Sequence, residues 1–135
     1  MSKPIRLQTF QIGTPVRHGE GLRIAVTRRP PRGVAKVDWK RIGRFDVWLP
    51  ALAPSPELVA KLQSTGPEEA SVRKTILDKY EKELMGSAES RQTVALIAEI
   101  AARMPVSIGC FCANESHCHR SRLYAVIMGL ANQEL

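Results

Sequence analysis

The residues best suited to chemistry lie in one short segment, residues 108 to 124, which reads IGCFCANESHCHRSRLY. It holds all three cysteines of the chain and two of its three histidines, and Arg120 and Arg122 follow them directly. Thiols and imidazoles at this density suit a metal site, a redox pair, a nucleophile with its base, or an anion-binding loop. Core packing alone rarely requires such a cluster.

The spacing within the segment bears on these alternatives. The ligand-type residues follow the pattern C-x-C-x4-H-C-H, whereas zinc sites usually join two pairs of ligands across a longer spacer. A phosphatase-like thiolate loop does not fit, because seven residues separate Cys112 from Arg120 and only one separates Cys118 from it. Cys110 and Cys112 should also point from a strand, away from the other candidate ligands. We therefore expect a largely metal-free protein without a cofactor.

Three residues of the segment are candidate catalytic residues: Cys112, Cys118 and His119. Either thiol could serve as a nucleophile or redox group, and His119 could transfer a proton. In the alternative without catalysis, the cysteines are small core residues and His119 packs against the core. Cys110 lies in an apolar run and is expected to be a core residue.

Positive charge is concentrated in the first third of the chain. The net charge is +7, yet residues 1 to 48 carry eleven Lys or Arg against three acids. This excess forms either a solvated basic surface or a surface that attracts phosphate. The candidate anion-binding residues are Arg28, Arg29, Arg32, Arg120 and Ser121.

Hydrophobic periodicity predicts alternating strands and helices. Strands are expected at residues 5–12, 22–27, 45–49 and 106–111. A helix should begin at Pro56, capped by Ser55, and a second should run from Pro67 to Gly86. A third is expected from Ala88 until Pro105 stops it, and a last one follows the cysteine segment.

These elements predict one α/β domain over residues 1–135, a small and mostly parallel sheet flanked by helices in three layers. The chain lacks an apolar run long enough for a membrane span and its first residues lack a signal-peptide core, so we expect a cytoplasmic protein. If the strands ending at Thr27 and Cys112 are parallel neighbours, their loops emerge at one sheet edge. This edge is where α/β folds bind ligands.

Several segments resemble one family of uncharacterised bacterial and archaeal proteins. They are Cys112-Ala113, Cys118-His119-Arg120-Ser121, RIAVTRRPPRGVAK at 23–36, DVWLPALAPSPEL at 46–58 and YEKEL at 80–84. In this order they are similar to the YeaO-like proteins, a numbered domain of unknown function with a C-terminal Cys-His-Arg motif. The family usually has an acidic residue where this chain has Asn114. The resemblance implies a three-layer α/β fold and a site around the Cys-His-Arg motif and the Arg29–Gly33 loop, without naming a substrate.

Two function classes follow, with a third as the plain alternative. The first is a small enzyme that acts on a phosphorylated or other anionic substrate through the Cys/His/Arg site. The second is a module without catalysis that binds a nucleotide or nucleic acid through the basic N-terminal third, although aromatic residues make up only 5% of the chain. The third is an architectural role for the cysteines.

Overall fold

The computed structural model describes residues 5–66, 68–112, 114 and 117–131. Its sheet has four strands in the order β1-β4-β2-β3, and every pairing is parallel. The predicted helix start at Pro67 lies outside the described residues. The strands are β1 (Leu7–Gln11), β2 (Leu22–Ala25), β3 (Val47–Trp48) and β4 (Val106–Cys110), and the α-helices are α1 (Pro56–Ser64), α2 (Ala70–Gly86), α3 (Ala88–Ala101) and α4 (His119–Ala131).

The helices form where the sequence provides caps and apolar spacing. Ser55 accepts a hydrogen bond from the backbone N–H of Leu58 at the start of α1, and Ser87 does the same for Ser90 in α3. Such caps satisfy backbone donors that a helix start leaves unpaired. Val72 continues the four-residue spacing of Ile76, Tyr80 and Leu84 but is 47% exposed, whereas Arg73 is buried.

The main core lies between the sheet and all four α-helices. Alternate strand residues such as Leu7, Ile24 and Ile108 face this core, as the two-residue period of a strand requires. The opposite face carries a smaller cluster built on Phe10 and Phe45. That face is covered by residues 12–21 and 36–45, which include two short helical turns at Lys36–Asp38 and Trp39–Gly43. The single α/β domain predicted from the sequence is confirmed.

The central strand β4 has β1 and β2 as its neighbours, so its carboxyl end lies in the middle of the sheet edge. All five of its residues are buried. Burial of every residue agrees with the apolar run at residues 106–111, where a strand was expected. No helix in the described part of the chain combines the length and the apolar character needed to cross a membrane.

Gly109 of β4 should be essential to the packing of the Phe10 ring against this strand. A Cβ atom at this position would lie 2.4–2.5 Å from three ring atoms of Phe10, the paired residue on β1. We therefore expect Gly109→Ala to lower the free energy of unfolding by about 1–3 kcal/mol. Gly129 of α4 is the matched control, since nothing lies within 4 Å of its added Cβ atom. Gly129→Ala should be neutral or stabilising by up to about 1 kcal/mol. Equal effects of both changes in urea unfolding would contradict this packing.

Candidate functional site

The loops that follow β2 and β4 emerge at the same edge of the sheet. The two strands are parallel neighbours with Ala25 opposite Gly109, and the N–H of Val26 donates to the Gly109 carbonyl at 2.9 Å. His119 connects the two loops, because its Nε2 lies 2.6 Å from the Val26 carbonyl oxygen. The strand arrangement required for a shared site is therefore present.

The three cysteines converge at this edge. Cys110 ends β4, Cys112 lies two residues further on, and Cys118 directly precedes α4. Their sulfur atoms all lie within 4.8 Å of one another, and those of Cys110 and Cys112 are 4.0 Å apart. Cys110 and Cys118 are buried, while Cys112 is exposed. The expectation that the strand cysteines point away from Cys118 is wrong, because the Cys118 sulfur lies within 4.8 Å of both of their sulfurs. Three converging sulfurs can hold a thiophilic metal or exchange disulfides.

The thiols do not have equal acidity. Hydrogen bonds from Cys110 and Cys118, together with the charge of Arg120, hold the pKa of Cys112 well below the ordinary thiol value. The hydrogen bonds of Cys118 with Cys110 and Cys112, and its burial, raise the pKa of Cys118. The hydrogen bond with Cys112 and burial likewise raise the pKa of Cys110. The cluster thus favours one thiolate, on the sulfur that solvent reaches.

His119 is a buried residue in contact with Cys118. Burial lowers the pKa of its imidazole, so the neutral ring is favoured. Because the Val26 carbonyl only accepts hydrogen bonds, we assign the proton of the neutral ring to Nε2. Nδ1 is then an acceptor, and it lies 3.7 Å from the Cys118 sulfur. The Tyr80 ring packs edge-on at 5.4 Å between ring centres. His119 is therefore in hydrogen-bonding range of the Val26 carbonyl on one side of its ring and near the Cys118 sulfur on the other.

Arg120 is a buried guanidinium whose charge has no carboxylate partner among the described residues. Its side chain is 3% exposed, and its Nη1 donates to the backbone carbonyl of Cys112 at 2.7 Å. Its Nε is buried and lacks a hydrogen-bond partner within the same part of the chain. Removing a charge from water without pairing it is costly. An anion that reaches Arg120 would offset this cost.

The other predicted anion-binding residues have different surroundings. Arg28 donates from Nε to the Pro54 carbonyl and from Nη2 to the Ala53 carbonyl, so most of its guanidinium already binds protein. Arg29 and Arg32 are exposed. The hydroxyl of Ser121 donates to the Cys118 carbonyl within the first turn of α4. Of this set, the structure places Arg120 and Ser121 beside the cysteines.

Arg122 lies near the start of α4, where it could attract an anion, but its guanidinium is already paired with carboxylates. Its Nη1 lies 2.7 Å from a carboxylate oxygen of Asp78 and 3.3 Å from one of Glu81. Both acids belong to α2, so Arg122 joins two helices. Sequence spacing does not reveal such a contact.

Sequence reasoning also missed two parts of the site. Cys110 was expected mainly as a core residue and not among the catalytic candidates, yet it belongs to the sulfur cluster as well as being buried. The Val26 carbonyl, which orients His119, carries no sequence signal because any residue supplies it. The alternation of side chains along a strand does predict that Cys110 and Cys112 share a side, but it does not predict that Cys118 joins them.

Comparison with known proteins yields a family but no described relative. A family model, DUF488-N3a, with the description "Active DUF488-N3 subclade", matches residues 7–129. No curated protein and no solved structure gives a significant match. The matched range includes all four strands and every site residue discussed above. The chain therefore belongs to the DUF488-N3a family, a domain of unknown function.

Proposed function

We propose that the protein is a small enzyme that acts on a phosphorylated or other anionic substrate at the edge formed by the β2 and β4 loops. One observation carries this proposal: the guanidinium of Arg120 is buried without a carboxylate partner among the described residues, directly beside an exposed thiol. Arg120 binds the anion and Cys112 is the nucleophile. The start of α4 adds the positive end of a helix dipole, which also favours negative charge.

The proposed chemistry assigns a separate task to each thiol. The Cys112 thiolate forms a bond to an electrophilic atom of the substrate as the bond from that atom to its leaving group breaks, and the leaving group departs with the electron pair and takes a proton from solvent. Arg120 balances the negative charge that develops. Cys118 and His119 are positioning residues. The Cys118 thiol proton can pass between Cys112 and Nδ1 of His119, since both acceptors lie near the same sulfur, Nδ1 at 3.7 Å and the Cys112 sulfur within 4.8 Å. The pair thereby sets how much negative charge remains on Cys112.

The family description supports an enzymatic function. The description calls the subclade active. We extend this word to the present chain as part of the proposal. The narrower assignment to YeaO-like proteins, with Cys118-His119-Arg120 as the family motif, belongs to the same proposal. Its support is the position of these three residues, which lie together at the end of the central strand.

A second candidate function is a nucleotide-binding or nucleic-acid-binding module without catalysis. The observation that favours it is a run of exposed basic residues between positions 29 and 44, where Asp38 is the single acid. Asp38 pairs with Arg41 at 3.1 Å, which leaves most of this charge uncompensated locally. Binding of this kind would weaken steeply with salt and would not depend on Cys112. The exposed basic residues are Arg29, Arg32, Lys36, Lys40, Arg41 and Arg44.

Alkylation of the thiols tests the role of Cys112. In reduced, chelator-treated protein at neutral pH, iodoacetamide should modify Cys112 first and faster than a model thiol, because Cys112 is exposed and hydrogen bonds from two thiols lower its pKa. Peptide mapping by mass spectrometry identifies the modified residue. Cys112→Ser should remove the fast phase and leave only slow modification of Cys110 and Cys118. A fast phase that survives this change would contradict the assignment.

A further inference from the structure

The sulfur cluster has a second capacity that goes beyond the proposed function. We propose that Cys110, Cys112 and Cys118 together form a binding site for one thiophilic divalent cation such as Zn²⁺, with a fourth position open to solvent. The site depends on the arrangement of the sulfurs and requires no catalysis. Cation binding and nucleophilic attack use the same Cys112 sulfur, so the metal-loaded protein is the form in which that thiol is protected.

The distances between the sulfurs are close to those of a metal site. Zinc–sulfur bonds of about 2.3 Å in a tetrahedron place neighbouring sulfurs about 3.8 Å apart. The Cys110 and Cys112 sulfurs are already 4.0 Å apart, and the largest separation in the set of three is within 4.8 Å. Shifts of about 1 Å or less would therefore create three bonds to one ion. A change of side-chain torsion supplies such a shift without rebuilding the strand.

The backbone holds this arrangement from two sides. Cys110 is fixed in β4, which pairs with strands on both edges, and Cys118 is fixed at the start of α4. Because the fold already holds Cys110 and Cys118 in place, little conformational entropy is lost when the ligands assemble around an ion. Cys112 is the exposed member, so the open coordination position faces the side from which solvent or an anion approaches.

The charges around the cluster fit a three-thiolate site. Three thiolates and one divalent cation carry a net charge of −1, and Arg120 supplies one positive charge beside them. Its Nη1 holds the Cys112 carbonyl, and no carboxylate among the described residues neutralises it. His119 contributes an acceptor nitrogen 3.7 Å from the Cys118 sulfur, while its other nitrogen is bound to Val26.

Cobalt binding provides the test. Reduced protein freed of metal with a chelator is titrated with Co²⁺, and thiolate-to-cobalt charge-transfer absorption is followed in the near ultraviolet. We expect saturation at one ion per chain and displacement of Co²⁺ by Zn²⁺. Cys112→Ser and Cys118→Ser should each weaken binding by more than about tenfold, since even changes to the surroundings of metal ligands cost about 10–100-fold. His117→Ala, a loop histidine outside the set of three sulfurs, should leave binding unchanged.

The outcomes separate this site from the proposed function. Cys112 is exposed, so Cys112→Ser is expected to fold, and its thermal unfolding verifies this directly. The metal site is overturned if the wild type shows no thiolate-to-cobalt absorption, or if Zn²⁺ affinity is the same in Cys112→Ser and wild type. The nucleophile is tested apart from it, by alkylation in the presence of chelator. Zn²⁺ that shields Cys112 from iodoacetamide supports the metal site even where no substrate is turned over.

Discussion

Replacing Glu20 with Gln is expected to lower the free energy of unfolding by about 3–5 kcal/mol, because it leaves the guanidinium of Arg23 buried without its charge partner. The two side chains are 0% and 2% exposed, and the closest nitrogen–oxygen distance is 2.8 Å. The carboxylate of Glu20 also accepts hydrogen bonds from the backbone N–H and the Nε of Arg17. Arg23 in turn lies over the Phe10 ring, 4.2 Å from its centre. Urea unfolding at neutral pH measures the loss.

The same pair predicts how stability depends on pH. Burial alone would raise the pKa of Glu20, but the hydrogen bonds from Arg17 and Arg23 together hold the pKa below its ordinary value of 4.5. A carboxyl group with a depressed folded-state pKa stabilises the protein fully above the unfolded-state pKa. This contribution is lost as pH falls below about 4.5 towards the folded-state value. The difference in unfolding free energy between wild type and Glu20→Gln should therefore shrink over this range.

The exposed pair of Arg41 and Asp38 is a matched control for the buried one. It has the same spacing of three residues and a distance of 3.1 Å, but its side chains are 73% and 34% exposed. Asp38→Asn should change the free energy of unfolding by less than about 1 kcal/mol at any pH. If the two variants lost similar amounts of unfolding free energy, whether both large or both small, burial would not determine how much an ion pair stabilises this protein.

Replacing Arg120 with Gln is expected to remove most of the stabilisation that anions give to the wild type. Saturation of one site at 100 times its dissociation constant contributes about 2.7 kcal/mol. Loss of a charged hydrogen-bond donor costs about 1.5–3 kcal/mol, or roughly 10–150-fold in affinity. Without anion, the change should cost little, because it also removes a buried charge that lacks a carboxylate partner among the described residues. Thermal unfolding in inorganic phosphate and in chloride at equal ionic strength measures both effects.

Arg122→Gln is the control for this experiment. Arg122 lies in the same helix turn, yet its charge is paired with Asp78 and Glu81. Its loss should lower stability slightly in both salts and leave the phosphate-dependent increase unchanged. A phosphate effect that is equal in Arg120→Gln and wild type would show that the anion binds elsewhere, for instance along the basic residues 29–44.

Much of the fold could be predicted because its signals are local. The apolar run at residues 106–111 predicted the strand that is β4, and hydrophobic periodicity predicted helices where α2 and α3 lie. The strand order could not be predicted, since it depends on pairing between distant segments. The sequence also did not predict the layer that covers the sheet face opposite the α-helices. That layer relies on contacts such as that of Trp39 with Phe45, at 5.1 Å between ring centres.

The candidate site was predictable in its residue types and only partly in its geometry. Clustering in the sequence indicated Cys112, Cys118 and Arg120, and the structure brings these residues together. Arg28 was expected to face an anion, but carbonyl groups 25 and 26 residues away along the chain hold its guanidinium. Arg122 is held in the same way by acids of another helix. Such contacts arise only when the helices pack.

Protection of Cys112 by an anion tests the central claim, that this thiol and Arg120 belong to one anion site. The rate of iodoacetamide modification of Cys112 is measured with and without inorganic phosphate, at constant ionic strength and with chelator present. We predict that phosphate slows the reaction in the wild type and in Arg122→Gln, because the bound anion lies beside the sulfur. In Arg120→Gln the rate should not respond to phosphate. A wild-type rate that phosphate does not change, under conditions where phosphate raises the unfolding temperature, would contradict the claim.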